Sequence, residues 1–301
     1  MRRHLALCLV PLSFVVNVTT KARANDETFT SIDVPGAIRT NANDINPRGD
    51  IVGGYTSADG RAHGYLLRGG DFTTIDFPGA TVSGAVGINA RGDITGRYIS
   101  PDGKEHGFLL SGGEFTSIDF PGAIFTTGGK INPRGDTVGW HDSADGRRHG
   151  FLLSRGEFTS IDFPDAVDTR TNGINSRGEI VGRYVSVDGE PHGFLLSRGA
   201  FTTIDFPGSI PGFNTSASGI NARSEIVGRY TDADGKVHGY LLSEGEFTSI
   251  DFPGAISTFA LGINPRGKIV GWYDSADGAT HGWLLTREDD DDGQNNDCQH
   301  R

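Results

Sequence analysis

The residues best suited to chemistry in this chain fall into two sets, one recurring at a fixed spacing and one not. His63, His106, His149, His192, His238 and His281 recur, each followed by Gly, an aromatic residue and two Leu. Six imidazoles at equivalent positions could suggest a metal ring. One His per repeat, on radially separated units, instead predicts a bond to backbone within each unit, because buried polar groups need partners. Asp33, Asp76, Asp119, Asp162, Asp205 and Asp251 recur in the phrase F-T-[ST]-I-D-[FV]-P and are read in the same way. An Asp–His bond inside each unit would serve the unit's geometry. No metal and no other cofactor is predicted.

Shorter motifs yield to the same logic. Arg48-Gly49-Asp50, Arg91-Gly92-Asp93 and Arg134-Gly135-Asp136 spell an adhesion tripeptide, but equivalent positions hold Arg177-Gly178-Glu179, Arg223-Ser224-Glu225 and Arg266-Gly267-Lys268. The tripeptide therefore follows from a turn that needs Gly before a polar strand residue. Asp232-Ala233-Asp234-Gly235 opens like a calcium loop yet lacks the downstream ligands and closing Glu. It reads as a hairpin turn. Glu288 to Asp292 are five acids in a row, a solvated tail in which Cys298 is a free thiol.

The non-recurring residues are where a repeat protein becomes specific. They sit in the long connection between units: Arg39, Asn41, Asn43 and Asp44; Thr126, Thr127 and Lys130; Asp168, Arg170 and Asn172; Asn214, Ser216 and Ser218. From these, Arg39, Asn43, Asp44, Lys130, Asp168, Arg170, Asn172 and Asn214 are selected as candidate ligand-binding residues at one channel mouth. A second strand also varies, with Arg97, Arg183 and Arg229 against Trp140 and Trp272, and His141 in place of Tyr. Exposed Trp beside polar groups would suit a sugar; Trp packed between units would fill the core. No G-x-S-x-G, no H-E-x-x-H and no isolated carboxylate pair occurs, so no catalytic residue is assigned.

Behind these residues stands a chain of 301 residues with 45 Gly, about twice the usual share. Gly falls at fixed places, which makes it turn chemistry. Residues 1–24 read as a signal peptide: Arg2 and Arg3, then an apolar run from Leu5 to Val16, then Ala22-Arg23-Ala24 as the cleavage site. The apolar run is too short to span a bilayer, and no second one exists. Cleavage lowers the basic count from 27 to 23 against 38 acids, a net charge of −15, which argues against nucleic acid. It also leaves Cys298 as the only cysteine, so stability must come from packing. The expected destination is outside the cell or the periplasm.

The elements that must position these residues are repeated. The phrase around Asp begins at Phe29, Phe72, Phe115, Phe158, Phe201 and Phe247, at intervals of 43, 43, 43, 43 and 46. A third phrase, I-N-x-R-[GS]-x, begins at Ile45, Ile88, Ile131, Ile174, Ile220 and Ile263. Asn-Pro-Arg-Gly, Ser-Ala-Asp-Gly and two-residue loops ending in Gly predict three tight hairpins per unit. A four-stranded meander joined by one longer crossing describes a propeller blade. The prediction is all-β: a six-bladed β-propeller of 43-residue repeats over residues 25–287, with an acidic tail at 288–301. The last unit lacks its fourth strand, and the chain begins with a spare one at Phe29 to Pro35. Docking that strand would close the ring 1+3 and remove an exposed sheet edge.

The units resemble the HAF-type bacterial extracellular repeat, named for a His-Ala-Phe tripeptide. Here the tripeptide is His-Gly-aromatic, from His63-Gly64-Tyr65 to His281-Gly282-Trp283, and the neighbouring Gly-Ile-Asn-x-Arg-Gly pattern agrees. The resemblance covers about residues 29–286 and implies export and repetition; it carries no catalytic residues. The expected function is that of an exported, monomeric, non-catalytic scaffold that binds a glycan, peptide or cell-envelope partner at one mouth. The alternative is a hydrolase or lyase acting on a polysaccharide at that mouth.

Overall fold

The computed structural model describes residues 22–24, 27–207 and 215–287. Among the described residues every regular element is a β-strand, and no helix is long and apolar enough to cross a membrane. Blade one runs outward from the axis as Ala37–Ile45, Ile51–Ser57, Ala62–Arg68 and Asp71–Ile75. The next four blades repeat that order, and the whole is a six-bladed β-propeller. The sixth blade takes three strands from the C-terminal end, Ser257–Ile263, Ile269–Asp274 and Thr280–Arg287. Glu27–Ile32 runs antiparallel beside the last of these, with Phe29 opposite Leu285 and Ile32 opposite Gly282. Ala22–Ala24, inside the segment predicted to be cleaved, pairs with the outer edge of Glu27–Ile32.

The hairpins form where the turn residues require them. In blade one the Gly49 N–H donates to Asn46 O at 3.0 Å with Gly49 at φ 89°, a left-handed conformation that favours Gly. Between the third and fourth strands of blade three, Arg155 at φ 52° and Gly156 at φ 84° make the positive-φ pair of a type I′ turn.

The core is divided into blocks, each lying between two neighbouring blades. Val52 and Ile75 of blade one pack with Ala85, Ile94 and Phe108 of blade two, and Val270 of blade six packs with Ala42 and Tyr65 of blade one. The aromatic residue after His-Gly is fully buried in every blade, from Tyr65 to Trp283. Its cross-strand partner is always Gly, as in Gly96 opposite Phe108. A Cβ on Gly96 would lie 2.7 Å from the Phe108 ring and 2.1 Å from Gly84 O, so the strand keeps Gly despite its poor strand propensity. The Phe of I-D-F-P reaches into the next blade: Phe77 stacks on Tyr98 and Phe252 on Tyr273, both at 3.7 Å between centroids.

A circle of Asn side chains ties the blades together at the axis. Each Asn of I-N-x-R donates Nδ2–H to the backbone oxygen of its counterpart in the next blade, from Asn46 to Asn89 at 3.4 Å round to Asn264 to Asn46 at 3.3 Å. Its Oδ1 accepts the backbone N–H groups two and four residues on, as Asn46 does from Arg48 and Asp50. The inner strands each carry a β-bulge just before the Ile-Asn pair, for example between Ala42 and Asp44 and between Thr171 and Gly173. A bulge leaves one residue unpaired and re-aims the side chains beside it.

Candidate functional site

The recurring His and Asp are joined in all six blades. His Nδ1 meets the Asp carboxylate at 2.8 Å for His63–Asp76, 2.6 Å for His106–Asp119 and 3.0 Å for His192–Asp205. His149–Asp162 and His238–Asp251 are alike at 2.7 Å, and His281 binds Asp33 of the N-terminal strand at 2.8 Å. In blades one, two and five the other ring nitrogen meets a side chain of the hairpin turn, not backbone: Ser57 Oγ lies 3.2 Å from His63 Nε2. A Ser–His–Asp series could be a nucleophile and its base. Here the Ser57 hydroxyl also contacts the Asp59 carboxylate, which can only accept, so its single proton is committed there. That proton is not directed at the imidazole, so the series is not arranged as a nucleophile and its base. The Ser57 hydroxyl and the Arg61 backbone N–H hold Asp59 below the usual carboxylate range. In blade five Asp232 replaces the Ser, its Oδ1 accepting two backbone N–H groups and its Oδ2 facing His238.

The Arg-Gly-Asp segments are clamps between blades. Arg48 donates to Asp50 and to Ala90 O of blade two, and Arg91 to Asp93 and to Pro133 O of blade three. Burial works against the charged form of Asp50, but hydrogen bonds from Asn46 and Arg68 outweigh it and hold its carboxyl low. These carboxylates face into the molecule.

The symmetry breaks inside the channel. A cavity of ≈ 340 Å³ opens at one mouth, lined by inner-strand residues and by one position of the second strand. That second-strand position reads Gly54, Arg97, Trp140, Arg183, Arg229 and Trp272 round the ring, and all but Gly54 line the cavity. The inner strands add Asn43, Arg170, Asn172, Ser216, Ser218, Phe259 and Leu261, among others. Phe259 stacks on Trp272 at 3.5 Å, Arg229 lies 5.2 Å from the Phe259 centroid, and Arg148 and Arg170 approach Trp140 at 4.2 and 5.3 Å. Among the described residues, none lining this cavity is Asp, Glu, His or Cys. Burial first, then the like charge of Arg170, press against the charged forms of Arg183 and Arg229.

Four of the sequence-selected residues meet here: Asn43, Lys130, Arg170 and Asn172. Three are placed elsewhere. Arg39 donates to Thr280 Oγ1 at 3.1–3.2 Å across the seam of blades one and six. Asp168 pairs with Arg170 at 3.3 Å and Arg148 at 3.6 Å without lining the cavity. Asp44 pairs with Lys130 at 3.1 Å and lines a smaller cavity of ≈ 110 Å³ at the opposite mouth. Lys130 lines both cavities, so the pair stands between them. Asn214 lies outside the described residues. The second-strand Arg and Trp were legible as variable positions, and their alternation with buried neighbours was the signal that they share one face. Phe259 and Leu261 carried no polar signal.

No protein-family model matches the chain, and no curated protein matches it in sequence. Similarity to solved structures is found at the level of the fold. AofleA from Arthrobotrys oligospora is 13% identical with a TM-score of 0.57, covering 87% of each chain. The six-bladed fungal lectin of Aleuria aurantia, described with a fucose recognition mode, is 12% identical with a TM-score of 0.50, covering 83% of this chain and 92% of that one. TolB from Acinetobacter baumannii is 14% identical with a TM-score of 0.53, covering 84% of this chain and 65% of that one.

Proposed function

We propose that this chain is an exported, non-catalytic propeller of the HAF-type repeats that binds a carbohydrate in the ≈ 340 Å³ cavity. One observation carries the reading: half-buried Trp140 and Trp272 share a concave wall with amide, hydroxyl and guanidinium donors. Apolar faces with a few fixed polar groups are what small-molecule sites are made of. The frame around the cavity is repeated, whereas the second-strand position facing it differs from blade to blade on the same four strands, so the fold does not dictate that position. The fold is shared with the Aleuria aurantia lectin, described with a fucose recognition mode, which supports carbohydrate as the ligand class. A binding role is favoured over hydrolysis because the described residues of the cavity wall offer no carboxylate or imidazole for general acid–base work. A glycan array probed with the labelled protein, followed by calorimetry on Trp140→Ala and Trp272→Ala, tests it. Saccharide binding that either substitution weakens tenfold or more is the expected outcome; binding indifferent to both would move the site elsewhere.

A further inference from the structure

Resting on the carbohydrate reading, we propose that the bound sugar carries an acidic group, a carboxylate or a sulfate, which Arg183 and Arg229 grip. Arg97, Arg170, Arg183, Arg229 and Lys130 all line the cavity, and among the described residues no acid does. This cavity belongs to a chain with a net charge of −11, so the basic wall is not an accident of composition. Three of the five bases have partners in the protein: Arg97 lies 3.5 Å from Glu105, Arg170 3.3 Å from Asp168 and Lys130 3.1 Å from Asp44. Arg183 is different. Its Nε is buried and has no hydrogen-bond partner among the described residues. A buried donor left without an acceptor costs about 1–3 kcal/mol, more for a charged group.

The fold does not require that expense. The equivalent position is Gly54 in blade one and Trp in blades three and six, and those blades keep the same four strands. Arg229 lies against the Phe259 ring, and no ion pair holds it among the described residues. Burial first, then the like charge of Arg170, works against charge on both guanidiniums. An anionic ligand removes both penalties at once. A guanidinium offers paired N–H donors that match a carboxylate or sulfate edge, and burial strengthens the pair by excluding water. The neighbouring Trp and amide groups would hold the sugar that bears the acid.

The test uses the mature protein and an array of uronate-bearing, sialylated, sulfated and neutral glycans. Calorimetry then compares the best acidic ligand with a derivative whose acid is neutralised, the methyl ester for a carboxylate or the desulfated sugar for a sulfate. Hits confined to acid-bearing glycans are expected, and neutralising the acid should weaken binding at least tenfold. The uronate and sulfate arms tell the two acids apart. Arg183→Gln and Arg229→Gln should each weaken acidic ligands tenfold or more, with a melting temperature equal to or above that of the parent. The ligand comparison stands even where a variant fails to fold. Neutral and acidic glycans bound alike, with affinity unmoved by either substitution, would overturn the acidic-group inference and leave the carbohydrate reading intact. Binding of free sulfate or citrate with no glycan bound would overturn both, because the anion would then not be carried by a sugar.

Discussion

Lys130 of blade three and Asp44 of blade one form an ion pair of 3.1 Å at the propeller axis, with only 10% of each side chain exposed. Lys130 Nζ also donates to Leu261 O of blade six at 2.5 Å, and Asp44 accepts the Ile88 N–H of blade two at 3.0 Å. The other four blades hold Gly at this position: Gly87, Gly173, Gly219 and Gly262. They leave the room the pair occupies, since a Cβ on Gly262 would come within 3.0 Å of Asp44 Oδ1.

That pair should behave as one energetic unit. Lys130→Met leaves the Asp44 carboxylate without its cation, and Asp44→Asn leaves the ammonium without its anion. Each is expected to lower stability, and the double variant to lose less than the sum. A coupling of about 1–3 kcal/mol in a double-mutant cycle followed by urea unfolding is the expected value. Simple additivity would mean that the contact contributes nothing.

His141 should be the weak point of blade three. In the other five blades this position is Tyr, whose hydroxyl bonds an outer-strand hydroxyl, as Tyr98 does to Ser117 at 2.6 Å. His141 stacks on Phe120 at 3.7 Å, but both its ring nitrogens are buried without partners. Burial first, then the neighbouring His149, lower its pKa from 6.5, against weaker opposing pulls from Asp162 and Asp142. A folded-state pKa below the unfolded one means that the unfolded chain binds more protons, so this contribution is intact above about pH 6.5 and lost as the pH falls below it. His141→Tyr should restore the bond to Ser160, add about 0.5–1.5 kcal/mol and flatten the decline in melting temperature below pH 6.5. An unchanged pH profile would refute the assignment.

Two hydroxyls should be dispensable. Tyr65 and Tyr240 are fully buried, and their phenolic oxygens have no partner among the described residues. Blades two, three and four hold Phe108, Phe151 and Phe194 at the same place. Tyr65→Phe and Tyr240→Phe are expected to be neutral or to stabilise by about 1 kcal/mol each. A clear loss of stability in thermal unfolding would reveal an acceptor for the hydroxyl.

The two chain ends should differ. Removing 27–35 takes away buried Phe29 and Ile32, the Asp33–His281 bond and the contact of Ser31 with Tyr273. Burial of each large side chain is worth about 1.5–3 kcal/mol, a serious loss for a domain with about 5–15 kcal/mol in hand. Removing 288–301, which opens with five acids and has no apolar run, should cost almost nothing. Equal urea midpoints for the two truncations would show that the N-terminal strand does not hold blade six together.

The sequence alone determined the period, the strand count per blade and the turn positions. Those features are set by local rules: Gly where φ is positive, alternation along a strand, and hairpin loops of two to five residues. It also made visible which positions vary. Which of them face the channel was decided by the tertiary structure. The bulge before each Ile-Asn breaks the two-residue alternation, so counting along the inner strand cannot tell Asn43, which lines the larger cavity, from Asp44, which lines the smaller. Arg39 and Asp168 were as polar as Arg170, yet one bonds across a seam and the other backs its neighbour. The circle of Asn from Asn46 to Asn264 and the contact of Lys130 with Asp44 join residues tens to hundreds apart. Such contacts exist only once the ring brings six inner strands to one axis, and no local pattern encodes that distance.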